Sequence, residues 1–158
     1  MGEGIYGFPV SGIKNCVLAA AHKDKGLART QVAAALWLDG DMVKTRPALA
    51  GAVCDMPLVR IFGSAPEMRE DMVKVGVIKK TATLAYRGQF RIWAIRVSGR
   101  VNISLLTLEA LAFLTNEAGL ANGIGEWRNE RKGMFGAFHL ASAAEETEAD
   151  RTVSPWHP

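Results

Sequence analysis

The chain has 158 residues, 49% of them apolar and 22% charged, the composition of one soluble globular domain large enough to bury a core. No window approaches the ~18 uninterrupted apolar residues of a membrane helix, and the opening MGEGIYGFPVSG has neither the basic nor the apolar region of a secretory leader, so a cytoplasmic location is expected. The net charge of +3 conceals two unlike parts: residues 143–158 carry −3 and residues 1–142 carry +6.

Gly7, Pro9 and Gly12 mark an irregular start, with Ser11 placed to cap a helix beginning near Gly12. Ile13, Val17, Leu18, Ala20 and Ala21 keep helical spacing as far as His22. A second helix is expected over Leu27 to Leu38, with Val32, Ala35 and Leu36 inward, ended by the turn Asp39-Gly40-Asp41. Asp41 to Pro57 carries no decisive pattern. Leu58 to Phe62 reads as a strand, and Ser64 to Asp71 as a polar loop or helical turn.

Met72 to Ile78 alternates, with Val73, Val75 and Val77 on the inward side. Thr81 to Tyr86 is a further strand, Arg87-Gly88-Gln89 a turn, and Phe90 to Ser98 a central strand rich in aromatic and β-branched residues. Ser104 to Ala118 is a helix with Thr107 as N-cap, Glu109 suited to the dipole, and a stripe of Leu108, Leu111, Ala112, Leu114 and Thr115. Gly119 stands where a left-handed C-cap is expected, with Leu120 packing back. Met134 to Ala141 reads as the last strand. The acidic segment 143–158 reads as disordered, and its Trp156 has no periodic partner. The fold class is α+β: one domain over residues 1–142, with a mostly antiparallel sheet, helices on one face and the other face free for a ligand.

Two features point to function. Met72 to Arg100 holds Lys74, Lys79, Lys80, Arg87, Arg91, Arg96 and Arg100 and no acid, a patch that attracts polyanions. Gly119 to Leu140, GLANGIGEWRNERKGMFGAFHL, holds Gly119, Gly123, Gly125, Gly133 and Gly136 with Trp127, Arg128, Arg131 and Lys132 interleaved. Glycine lets another backbone approach closely, so this loop is a place to hold a phosphate backbone. Tyr86, Phe90, Trp93, Trp127, Phe135 and Phe138 lie in or beside the basic region, and single strands are held by positive grooves with aromatic platforms. Core packing is the ordinary fate of strand aromatics, so two or three of the six are expected to be exposed.

Catalytic signatures are weak. There is no Gly-Lys-Ser/Thr, no Gly-x-Ser-x-Gly, and Gly123-Ile124-Gly125 lacks the third glycine of a dinucleotide fingerprint. His139 reads as a structural strand residue. Cys16 and Cys54 read as buried reduced thiols, and His22, His139 and His157 lack ligand spacing. Asp39, Asp41 and Asp55 could form a metal-binding group, but turn acids are common and need no such role. No catalytic residue, metal or cofactor is expected.

The helix ending at Gly119, the run GIGEWRNERKGMFGAFHL and a final strand resemble the C-terminal Gly-rich loop and last strand of the RAMP superfamily, which includes the RNA-binding backbone subunits of CRISPR effector complexes. The run is also similar to the ending of phage-type proteins. The resemblance covers roughly residues 72–140. It implies a ferredoxin-like, RNA-recognition-type core whose loop glycines Gly119, Gly123, Gly125, Gly133 and Gly136 abut RNA or a neighbouring subunit. No first strand of that core is evident in the N-terminal region, and no processing histidine matches.

The leading expectation is a non-enzymatic protein binding single-stranded RNA or DNA, assembling with copies of itself along the strand. Lys74, Lys79, Lys80, Arg87 and Arg91 would contact phosphates from the sheet, and Arg128, Arg131 and Lys132 from the loop, with Trp127 stacking. The alternatives are a protein-interaction module, such as a phage-encoded inhibitor or a subunit of a nucleoprotein assembly, and an RNA endonuclease.

Overall fold

The computed structural model describes residues 6–21, 26–45, 54–75 and 81–146. Strand β1 (Gly7–Pro9) leads straight into helix α1 (Val10–Ala21). Pro9 ends the strand and enters the helix without needing a donor, so the helix starts before Gly12 and Ser11 falls inside its first turn. Helix α2 (Arg29–Ala35) is shorter than the expected Leu27 to Leu38. Leu36 turns extended, and strand β2 (Leu36–Leu38) pairs with β8 (Gly99–Val101), a tertiary pairing that overrides helical periodicity.

The helix expected from Ser104 is α3 (Leu108–Ala121). Its first turn is capped as the sequence predicts, the Ala110 N–H donating to Thr107 Oγ1 at 3.2 Å. Leu114 and Ala118 are buried, but Leu108 and Leu120 point to solvent. Gly119 does not cap the helix; it lies within it. The carbonyl of Phe138 occupies the place where a side chain at Gly119 would stand, and the Phe138 N–H donates to the Gly119 carbonyl at 3.3 Å. The helix instead ends at Asn122, followed by Gly123 at φ +70.

The core lies where α1 crosses α3 and α2. Val17, Ala21, Val32, Leu106, Leu114 and Ala118 are all nearly inaccessible. Small residues let the backbones approach closely enough for side chains to bond across the crossing. The Cys16 thiol donates to the carbonyls of Ala118 and Gly123, and buried Asn122 donates from Nδ2 to the Cys16 carbonyl at 3.0 Å. Cys16 is the buried thiol the sequence predicts; the Cys54 side chain lies outside what the structure describes.

The strands make an α+β fold in which every strand pair is antiparallel. Among the described residues they form three sheets rather than a single sheet with one open face. The largest is organised on β4 (Cys54–Gly63), which pairs with β1, with β3 (Asp41–Thr45) and with β7 (Trp93–Ile95). The β2–β8 pair is the second. The third is a ribbon of β5 (Glu67–Val75) and β6 (Thr81–Gln89), paired along all nine residues of each strand.

The ribbon departs most from expectation. Ser64 to Asp71 is not a loop: its latter part is half of β5. Arg87-Gly88-Gln89 is not a turn but the end of β6. Phe90 to Ser98 contributes only the three residues of β7, because just Gly63, Phe62 and Ile61 are there to pair with it. Met134 to Ala141 is not a strand: only Phe135 makes a β-bridge, with Arg128, Gly136 is left-handed at φ +72, and the stretch beyond it runs across α3, where the Leu140 N–H donates to Asn116 Oδ1 at 2.8 Å. Residues 143–146, expected to be disordered, form a helical turn. The remainder of the acidic segment, Trp156 included, lies outside the described residues.

Candidate nucleic-acid interface

The ribbon alternates between two unlike faces. Arg69, Asp71, Val73, Ala85, Arg87 and Gln89 are at least partly buried on the inner one. Met68, Glu70, Met72, Ala82, Leu84 and Tyr86 are exposed on the outer one. This inverts the usual strand pattern, in which charge faces water and apolar groups face in.

The inner face is held by ion pairs. Asp71 accepts from Arg69 at 2.8 Å and from Arg87 at 3.0 Å, and Arg87 also donates to Glu126 of the glycine-rich loop. The guanidinium of Arg69 lies 4.0 Å above the Phe135 ring. Hydrogen bonding from Arg69, then from Arg87, holds the Asp71 carboxyl below its ordinary pKa against the opposing effect of burial. The Glu126 carboxylate, more than Asp71, raises the pKa of Arg87. The ribbon therefore clasps the loop through Arg87–Glu126 and Arg69–Phe135.

The loop closes on itself. A 3-10 turn spans Asn129–Arg131. The Ile124 N–H donates to Gly136, Phe135 to Trp127 and Gly133 to Arg128, at 2.9, 3.1 and 3.0 Å. The Trp127 carbonyl takes the space a side chain at Gly133 would need. Trp127 and Lys132 are the two non-glycine residues with positive φ among those described, at +56 and +62. Such a conformation costs on the order of 1 kcal/mol or more for a side-chain-bearing residue and persists only where surrounding contacts enforce it.

The described site residues then each have a place. Arg87 is spent on Asp71 and Glu126. Arg91 donates to Glu67 at 2.7 Å, which raises its pKa. Arg128 donates to Glu130 and to the Gly125 carbonyl, bracing the loop from inside. Arg96 and Arg100 pair with Glu146 and Asp39. All four arginines of the segment expected to be uncompensated thus meet carboxylates from outside it. Lys74 lies in β5, paired in register with Ala82. Lys79 and Lys80 lie outside the described residues. Arg131 and Lys132 are exposed, with no carboxylate partner among the described residues, and Trp127 is 42% exposed beside them. The loop glycines Gly123, Gly125 and Gly136 have positive φ, and Gly119 and Gly133 allow close backbone approach.

Of the six aromatics, Tyr86 and Trp127 are exposed. Phe90 meets Tyr6 edge-on at 5.4 Å, and Trp93 meets Phe138 at 6.5 Å. His139 is tied to Glu145 at 2.9 Å, and the other Glu145 oxygen accepts from both the N–H and hydroxyl of Ser142. Those Ser142 bonds first, then His139, lower the Glu145 pKa to about 2. Asp39 accepts from the Trp37 indole at 3.1 Å. No group of three or more His, Cys, Asp or Glu able to hold a metal is found among the described residues. An open depression of about 440 Å³ beside Trp37, Arg100 and Asn102 stands apart from the loop residues. No described helix is long and apolar enough to cross a membrane.

Comparison with protein-family models, with curated proteins and with solved structures returned no match.

Proposed function

We propose that this chain is a non-enzymatic binder of single-stranded nucleic acid that works through its glycine-rich loop, with Trp127 as the stacking platform and Arg131 and Lys132 as the phosphate contacts. The observation that carries this is the concentration of left-handed backbone at Trp127 and Lys132 in one closed loop, which exposes Trp127 together with two cations, Arg131 and Lys132, that have no carboxylate partner among the described residues. The pairing of Arg87, Arg91, Arg96 and Arg100 supports the loop over the sheet as the contact surface. The same pairing weighs against an acidic protein on the sheet face. The likeness to the RAMP superfamily belongs to this proposal in its loop, whose glycines would admit the strand's backbone. Tying of His139 to Glu145, itself held by Ser142, favours a bracing role for it over a nuclease one.

Fluorescence anisotropy with labelled single-stranded RNA, single-stranded DNA and duplex across a salt series tests it. Single strands bind, with log K falling by roughly 0.7 per phosphate contact for each decade of salt, and Trp127→Ala costs about 1–3 kcal/mol. Absence of binding at low salt overturns the proposal.

A further inference from the structure

We propose that β6 is the pairing edge of a two-fold homodimer, in which two ribbons join into a continuous four-stranded antiparallel sheet ordered β5, β6, β6 of the second copy, β5 of the second copy. This does not rest on nucleic-acid binding.

The two edges of the ribbon differ sharply. Among the described residues β5 pairs only with β6, and β6 only with β5, so each strand has one open edge. Every second residue of an edge strand turns its N–H and C=O outward, and proteins guard such edges with charge, proline or a bulge. The edge of β5 is guarded: Glu67, Arg69, Glu70, Asp71 and Lys74 fall within its nine residues. The edge of β6, TATLAYRGQ, carries Arg87 alone and no proline, and Thr81 to Tyr86 is free of charge. An isolated two-stranded ribbon is marginal in water, and a third and fourth strand with an apolar face relieve that.

The occupant follows from complementarity of β6 with itself. Antiparallel pairing about a two-fold axis at Leu84 sets Leu84 opposite Leu84 of the second copy, Thr83 opposite Ala85, Ala82 opposite Tyr86 and Thr81 opposite Arg87. No like charges meet, and the one large aromatic faces the small Ala82. Within each ribbon Met72 already lies opposite Leu84. The dimer would therefore carry one unbroken apolar row, Met72–Leu84–Leu84–Met72, across four strands on the outer face. Met72 is 70% exposed and Leu84 54% exposed in the single chain. Cross-strand neighbours of this kind are what stabilise a sheet, and like charges directly opposite destabilise it.

Light scattering coupled to size exclusion, on the full chain from micromolar to submillimolar concentration, reads the outcome. The wild type has the mass of two chains. Leu84→Lys sets two ammonium groups opposite each other and weakens the dimer at least about tenfold while far-ultraviolet circular dichroism stays unchanged. Leu84→Cys forms a disulfide-linked dimer under mild oxidation, because directly paired Cα atoms lie within disulfide reach; Leu120→Cys, exposed on α3, does not. If Leu84→Lys does not fold, the Leu84→Cys cross-link decides. A one-chain mass at every concentration overturns the proposal and leaves the ribbon to a different protein or to residues 147–158. A dimer indifferent to Leu84→Lys, with no cross-link at Leu84→Cys, also overturns it.

Discussion

The crossing of α1 with α3 and the ribbon-and-loop unit are stabilised by different physics. At the crossing, Ala21, Val32, Leu114 and Ala118 are almost wholly excluded from water, and Asn122, the one buried polar side chain among the described residues, donates to the Cys16 carbonyl. In the ribbon and loop, Arg69, Arg87 and Asp71 are among the inward side chains, while Met68, Met72, Leu84 and Tyr86 face out. Burial of apolar area is non-directional and tolerates local change. A clasp of ion pairs and strained turns depends on geometry, and most of its charges remain near water. The first arrangement suits a scaffold. The second leaves Trp127 and Leu84 exposed at the surface.

Three changes probe this contrast. Leu114→Ala acts on the crossing alone and should give the largest loss, about 2–5 kcal/mol in a denaturant titration. A loss below about 1 kcal/mol would mean that α1 and α3 are not the principal core. Gly133→Ala drives a methyl group into the Trp127 carbonyl and should open the loop. The expected readout is a red shift of Trp127 emission and faster amide exchange at Ile124 and Phe135, with a smaller global loss of about 1–3 kcal/mol. Equal exchange at both amides would show that the loop is not closed as described.

The third and smallest effect comes from acid. The folded Glu145 pKa is lowered from 4.5 to about 2. A depressed carboxylate pKa stabilises the fold above the unfolded value, and that contribution fades as pH falls through the folded one. The helical turn at 143–146 should therefore hold above pH 4.5 and release as pH approaches about 2. Chemical shifts of Ser142 and Glu145 followed over that range should change together. Their staying fixed through pH 2 would remove Glu145 as the brace.

The same contrast governs what the sequence reveals. Helix α3 is legible because its information is local: Thr107 caps it and Leu114 falls in a stripe of helical period. Val73 is likewise found on the inward side of its strand. The first half of β5 is illegible because Arg69 and Asp71 point inward while Met68 and Met72 point outward, so hydropathy reads as a polar loop. The partners of the charge patch are hidden from the sequence for a related reason. Arg87 and Arg91 find Glu126 and Glu67 at separations of 39 and 24 residues, beyond any local window. Gly119 signals a helix end by type, but its role is set by Phe138 crossing the helix. The crowding of glycines around Trp127 is visible in the sequence; the exposure of Trp127 and the left-handed backbone at Trp127 and Lys132 are not.

The contrast between paired and unpaired cations gives the most direct test of the loop as the contact surface. Affinity for a labelled single strand at low salt is compared between Arg131→Glu combined with Lys132→Glu and, separately, Arg91→Ala. The loop account predicts that the first change abolishes binding and that the second, which removes a cation already held by Glu67, leaves the affinity within about twofold. Binding that survives the loop reversal and falls with Arg91→Ala would contradict it, returning the contact surface to the sheet.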